Sequence, residues 1–95
     1  SPGITPPGRV LSRYHLALLV RDESGVLARV ADAMARRGVS ILAVRQEQLP
    51  DDDHVARLVI TTHEAPDADV RALVTALEAT DDVRGRIRVL RVEGV

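Results

Sequence analysis

Three histidines, one serine in an acidic turn and a run of three aspartates are the side chains best equipped for chemistry in this sequence. His15, His54 and His63 could serve as metal ligands or general bases, but no carboxylate or second histidine stands beside them at a recognised ligand spacing. Structural or solvated imidazoles are the simpler reading. Ser24 sits in Asp-Glu-Ser-Gly, not in the G-x-S-x-G of a strand-to-helix nucleophile, and no histidine or acid pattern supports it. A turn or capping role suits it better. Asp51, Asp52 and Asp53 suggest calcium only superficially, because the glutamate that completes a calcium loop is missing, and three acids at a hairpin turn are readily solvated. No catalytic residue and no metal site is assigned.

The remaining candidate is the stretch RDESGVLARVADAMARRGVSI, residues 21 to 41. A small-residue turn precedes apolar residues at helical spacing, with Gly25 where serine or aspartate would be the usual cap. Glycine there permits a tight turn, and it also lets another molecule approach the free N–H groups of Gly25, Val26 and Leu27. Such donors suit a carboxylate.

Composition removes whole classes of function. With no cysteine, disulfide frameworks, thiolate metal sites and cysteine nucleophiles are excluded. Thirteen cations, all arginine, and fourteen acids are scattered along the chain and leave a net charge of −1, which gives no basic stripe for phosphate and no acidic tail, and nucleic acid is not an expected partner. The longest apolar run, Leu16 to Val20, is far too short to span a bilayer, and the first residues lack a signal-peptide pattern. A soluble, cytoplasmic domain with no membrane partner is expected.

Residues 1 to 12, SPGITPPGRVLS, hold three of the five prolines and read as a linker ahead of one domain over 13 to 95. That order suggests a C-terminal module of a longer chain. RYHLALLV (13 to 20) reads as a strand with Tyr14, Leu16, Leu18 and Val20 on one face and His15, Ala17 and Leu19 on the other. Val26, Leu27, Val30, Ala31 and Met34 mark a helix that Gly38 can end in a left-handed conformation. A hairpin follows, with strands over 39 to 49 and 54 to 63 joined at PDDD. Asp67 is placed to cap a second helix bearing Val70, Leu73, Val74 and Leu77, and RIRVLRV (86 to 92) is a last strand.

The order βαββαβ with right-handed crossovers gives an α+β, ferredoxin-like fold: a four-stranded antiparallel sheet with two helices on one face. Ile41, Leu42 and Val44 break period two, which calls for a bulge or for burial of both faces, and burial by a partner subunit is the preferred expectation. Apolar residues on both faces of the first two strands likewise predict a homodimer or higher homo-oligomer. Fold alone assigns no function. An RNA-recognition module of this topology stacks bases on aromatics, yet Tyr14 is the one aromatic; a copper carrier needs CxxC; an acylphosphatase-like site needs an asparagine, and the chain has none.

Asp22, Gly25, Val26, Leu27, Val30, Met34, Gly38, Val39 and Ile41 carry a resemblance to the ACT domain family, βαββαβ modules that bind amino acids and regulate metabolic enzymes. The resemblance spans about residues 13 to 93. VSILAVRQEQ, LVITTHEA and the terminal VLRVEGV are similar to the C-terminal regulatory domains of homoserine dehydrogenases. It implies an amino-acid effector, threonine in feedback control of amino-acid biosynthesis, and an NAD(P)-dependent oxidoreductase region elsewhere; this chain has no GxGxxG and implies no cofactor of its own. It also implies a ligand held between the first turn of one subunit and the second strand of its neighbour. Asp22 would meet the ligand amine or hydroxyl, the turn at Ser24, Gly25, Val26 and Leu27 its carboxylate, and Ser40 and Ile41 would form the neighbour's edge, with Gln46 as a further candidate. Ser40 stands where binding members often carry asparagine, and serine offers fewer donors. Two alternatives remain: a structural dimerisation module without ligand, and the ACT domain of another amino-acid enzyme such as aspartate kinase.

Overall fold

Alternating burial along the first strand organises the molecule. The computed structural model describes residues 10–92, and in it β1 (Leu11–Arg21) buries Tyr14, Leu16, Leu18 and Val20 while His15 stays exposed and Ala17 and Leu19 half-exposed. β3 (Asp52–Thr62) repeats the pattern with Ala56, Leu58, Ile60 and Thr62. The two strands run antiparallel, and their register sets Leu16 against Ile60 and Leu18 against Leu58, so both buried rows share one face. α1 (Val26–Arg36) and α2 (Asp67–Glu78) cover that face with Val26, Val30 and Met34, and with Val70, Leu73 and Leu77. β2 (Ile41–Leu49) pairs with β3, and β5 (Val83–Val92) pairs with the other edge of β1. A two-residue β4 (Ala65–Pro66) extends β3's side of β1 and leads straight into α2.

This is the expected ferredoxin-like βαββαβ arrangement with a short added strand. The differences lie at element ends. β1 takes in Leu11 and Ser12, which pair with Pro66 and Ala65, and β5 starts at Val83, three residues before the predicted strand. Residues 1 to 9 of the predicted linker and the final residues 93 to 95 lie outside the described residues. Asp67 does not cap α2: Pro66 holds the N-cap position in an extended conformation, and Asp67 begins the helix, where it accepts a hydrogen bond from the Tyr14 hydroxyl and pairs with Arg71. Leu27 is not in the buried stripe of α1; it is 39% exposed. The broken period of the second strand is resolved within the chain by a bulge, for the register against β3 slips between Ile41 and Ala43 and leaves Leu42 unpaired and exposed.

The register with β3 also explains a buried hydroxyl. Tyr14 N–H, at the point where β1 passes from β3 to β4, donates to Thr62 Oγ1 at 3.1 Å instead of to a strand carbonyl. Thr62 is fully buried, so that donor would otherwise have no partner.

Candidate functional site

β1 ends at Arg21 and α1 begins at Val26, so Asp22 to Gly25 must turn the chain back over the sheet. Gly25 does this at φ 88° and ψ −12°, the left-handed region in which a side chain is strained. Geometry therefore selects glycine at this helix mouth. Neither Ser24 nor any other side chain caps the helix. Val26 N–H makes only a long 3.4 Å bond to the Glu23 carbonyl, and the helical ladder starts with Arg29 N–H donating to Gly25 C=O at 3.0 Å. The intervening N–H groups of the first turn, those of Leu27 and Ala28, have no carbonyl partner among the described residues.

Beside this turn lies a cavity of about 220 Å³, lined by Asp22, Glu23, Ser24, Gly25, Val26 and Leu27 from the turn and helix, and by Val20, Arg21, Leu58 and Gln46 from the sheet. Its volume is below the roughly 300–1,000 Å³ of sites for drug-sized ligands, so it suits something smaller. Six of the sequence-predicted residues, Asp22, Ser24, Gly25, Val26, Leu27 and Gln46, are brought together here. Gln46 joins from the same chain's β2, because its register opposite Leu58 puts it on the helix side of the sheet. Ser40 and Ile41 do not line this cavity: Ser40 is exposed with its carbonyl accepting from His63 N–H at 2.9 Å, and Ile41 packs against the core.

Electrostatics hold the turn from its other side. Asp82, whose side chain is only 12% exposed, accepts two hydrogen bonds from Arg29, at 2.7 Å from Nε and 3.0 Å from Nη2, and lies 3.3 Å from Arg21 Nη2. Its main-chain carbonyl accepts from Arg21 N–H at 2.9 Å. The Arg29 hydrogen bonds hold the Asp82 carboxyl below the usual carboxylate range, against the opposing effect of burial. Arg21 Nε is buried and lies 3.2 Å from Glu23 Oε2 without forming a hydrogen bond. Asp22 N–H donates to the His54 carbonyl at 2.8 Å, so the β2–β3 hairpin steadies the turn as well. Sequence reasoning missed Arg29 and Asp82. Nothing local to either residue marks a pair separated by 53 positions.

The three histidines are exposed, and among the described residues no group of three His, Asp or Glu side chains could hold a metal ion. A larger hollow of about 610 Å³ runs between α2 and β5 over Val70, Val74, Ile87 and Val89. Its acids are already engaged: Asp67 pairs with Arg71, and Glu78 accepts from Ile87 N–H at 2.7 Å.

A model of the ACT domain family matches residues 14–82. The chain belongs to the ACT domain family. This ACT domain is 44% identical over 91 residues to homoserine dehydrogenase of Mycobacterium leprae, covering 93% of this chain and 21% of that protein. It is 42% identical to the Mycobacterium tuberculosis enzyme, covering 96% and 21%. In structure it is similar to a homoserine dehydrogenase from Thiobacillus denitrificans, with TM-score 0.82 and 28% identity over 96% of this chain and 20% of that one. The regulatory subunit of aspartate kinase from Thermus flavus shares the fold, with TM-score 0.63 and 21% identity over 84% and 52%. The chain thus spans about a fifth of the length of the curated relatives it matches. None of the helices is long and apolar enough to cross a membrane among the described residues.

Proposed function

We propose that this ACT domain is the amino-acid-sensing regulatory part of a homoserine dehydrogenase, C-terminal to a catalytic region that uses NAD(P), and that threonine is its effector. The observation that carries this reading is the small cavity at the β1–α1 turn, where Asp22 and the uncapped first turn of α1 meet Gln46. An α-amino acid needs a donor cluster for its carboxylate and an acceptor for its ammonium. The N–H groups of Gly25 and Leu27, which line the cavity and have no carbonyl partner among the described residues, would supply the first and the Asp22 carboxylate the second. Gln46, with an amide that both donates and accepts, suits a side-chain hydroxyl.

A second copy of the chain would complete this cavity. Leu27 at its mouth and Leu42 and Val44 on β2 are exposed, at 39%, 44% and 41%, which supports a homodimer that covers this edge and brings Ser40 and Ile41 of the second copy to the ligand. Calorimetric titration with threonine, isoleucine, lysine, serine and methionine tests the reading. Heat with threonine, and little with lysine or methionine, is the expected result. Binding of lysine instead would favour the ACT domain of an aspartate kinase, and no heat with any of the five would leave a structural dimerisation module.

A further inference from the structure

The face of the sheet turned away from the helices carries a feature that the chain order hides. Arginines from three strands converge there: Arg45 on β2, Arg57 on β3, and Arg86 and Arg88 on β5 surround a hollow of about 420 Å³. Its floor is apolar, made by Ala17, Leu19 and Val59, and Glu47 is its one acid. Glu47 sits between two of the arginines, accepting from Arg45 Nε at 2.9 Å and Arg57 Nη1 at 3.4 Å. It orients two guanidinium groups while neutralising the equivalent of one charge. Arg86 and Arg88 have no acidic partner among the described residues.

The convergence is built into the backbone. Ala17 pairs with Arg88, but Leu19 pairs with Arg84, so β5 carries two extra residues at this point. Gly85 takes φ 68° within this irregularity. A bulge of this kind re-aims the side chains beside it, and here Arg86 joins Arg88 at the rim of the hollow. A second hollow of about 200 Å³ shares Arg45 and Val59 with the first and adds His15 and Thr61, so the groove continues along the face. A surface so rich in one sign disfavours stacking on its own copy, since arginines would meet arginines.

We propose that this arginine-rimmed groove is an anion site separate from the turn cavity, and that it takes a phosphorylated small molecule with an apolar or planar body. Arginine forks match phosphate oxygens in two-point contacts. The volume lies within the range for small-molecule ligands, and the aliphatic floor accepts the uncharged portion. With no aromatic on this face, extended stacking of a nucleic-acid strand has no platform.

Amide chemical-shift titration of the whole 95-residue chain with ADP, inorganic phosphate and adenosine tests the proposal. ADP is expected to shift the amides of Ala17, Leu19 and Val59, phosphate to do so more weakly, and adenosine to leave them unmoved. Replacing both rim arginines, Arg86→Ala with Arg88→Ala, should weaken ADP about tenfold or more, as expected when charge-assisted contacts are removed. Both side chains are exposed, so the variant should keep the wild-type melting temperature, and threonine binding at the turn should not change. The proposal is overturned if ADP moves none of these amides, if the double variant binds ADP as tightly as the wild type, or if polyuridine or polyglutamate displaces ADP at lower concentration. Failure of threonine to bind would leave the expected ADP shifts in place, so the two readings fail separately.

Discussion

Replacing Gly25 with alanine should destabilise the domain through one backbone angle. At φ 88° a Cβ meets its own backbone, and the left-handed conformation costs an L-residue roughly 1–2 kcal/mol. Alanine also restricts the unfolded chain, which returns about 0.4–1 kcal/mol, so the net loss is about 1 kcal/mol. The new Cβ would lie 3.0 Å from Arg29 Nη1, the end of a flexible side chain that can move aside. For a domain of this size a loss of that order lowers the melting temperature by roughly 4–8 °C. Differential scanning calorimetry of Gly25→Ala and Gly25→Asn, each alone and with Arg29→Ala, separates the causes. Asparagine tolerates the left-handed region, so its loss should be clearly smaller, and removing Arg29 should change neither difference. Equal losses for alanine and asparagine, or a loss that vanishes without Arg29, would show that contact and not backbone conformation demands the glycine.

Gly25→Asp should weaken amino-acid binding far more than folding, because an acid near a helix N-terminus offsets part of the backbone strain by about 0.3–1 kcal/mol while its charge repels the ligand carboxylate; calorimetric titration beside thermal melts checks this. If Asp22 and Ser40 touch one ligand from two copies, Asp22→Ala and Ser40→Ala should each lower threonine affinity, with a non-additive loss in the double variant and no change in oligomeric state by light scattering. Asp82 has a folded-state pKa below its ordinary 3.8, held down chiefly by Arg29. Its contribution to stability is thus complete only above about pH 5 and is lost as pH falls through 3.8 toward the folded value. Urea midpoints at pH 5 and pH 3 should therefore fall more in the wild type than in Asp82→Asn. Thr62→Val leaves the Tyr14 N–H buried without its acceptor and should cost about 1–3 kcal/mol in urea unfolding, whereas Thr62→Ser keeps the oxygen and most of the stability.

Local physics made much of this protein legible in one dimension. Period-two burial in Tyr14 to Val20 and the helical spacing of Val70, Leu73 and Leu77 each depend only on neighbours along the chain, and so the α+β order could be written before any contact was known. The turn from Asp22 to Leu27 was legible for the same reason, since a glycine ahead of a helical stripe has few conformational explanations. The rest depended on register. Gln46 reaches the turn cavity from its own chain because it stands opposite Leu58, and a shift of one residue would have sent it to the other face. Asp82 meets Arg29 and Arg21 because β5 begins beside the end of β1. Most of all, the arginines at 45, 57, 86 and 88 look dispersed in a chain of near-zero net charge, yet pairing of β2, β3, β1 and β5, with a bulge at Gly85, gathers them on one face. Charge acts through space without regard to chain order, so where it accumulates is decided only once the strands have chosen their partners.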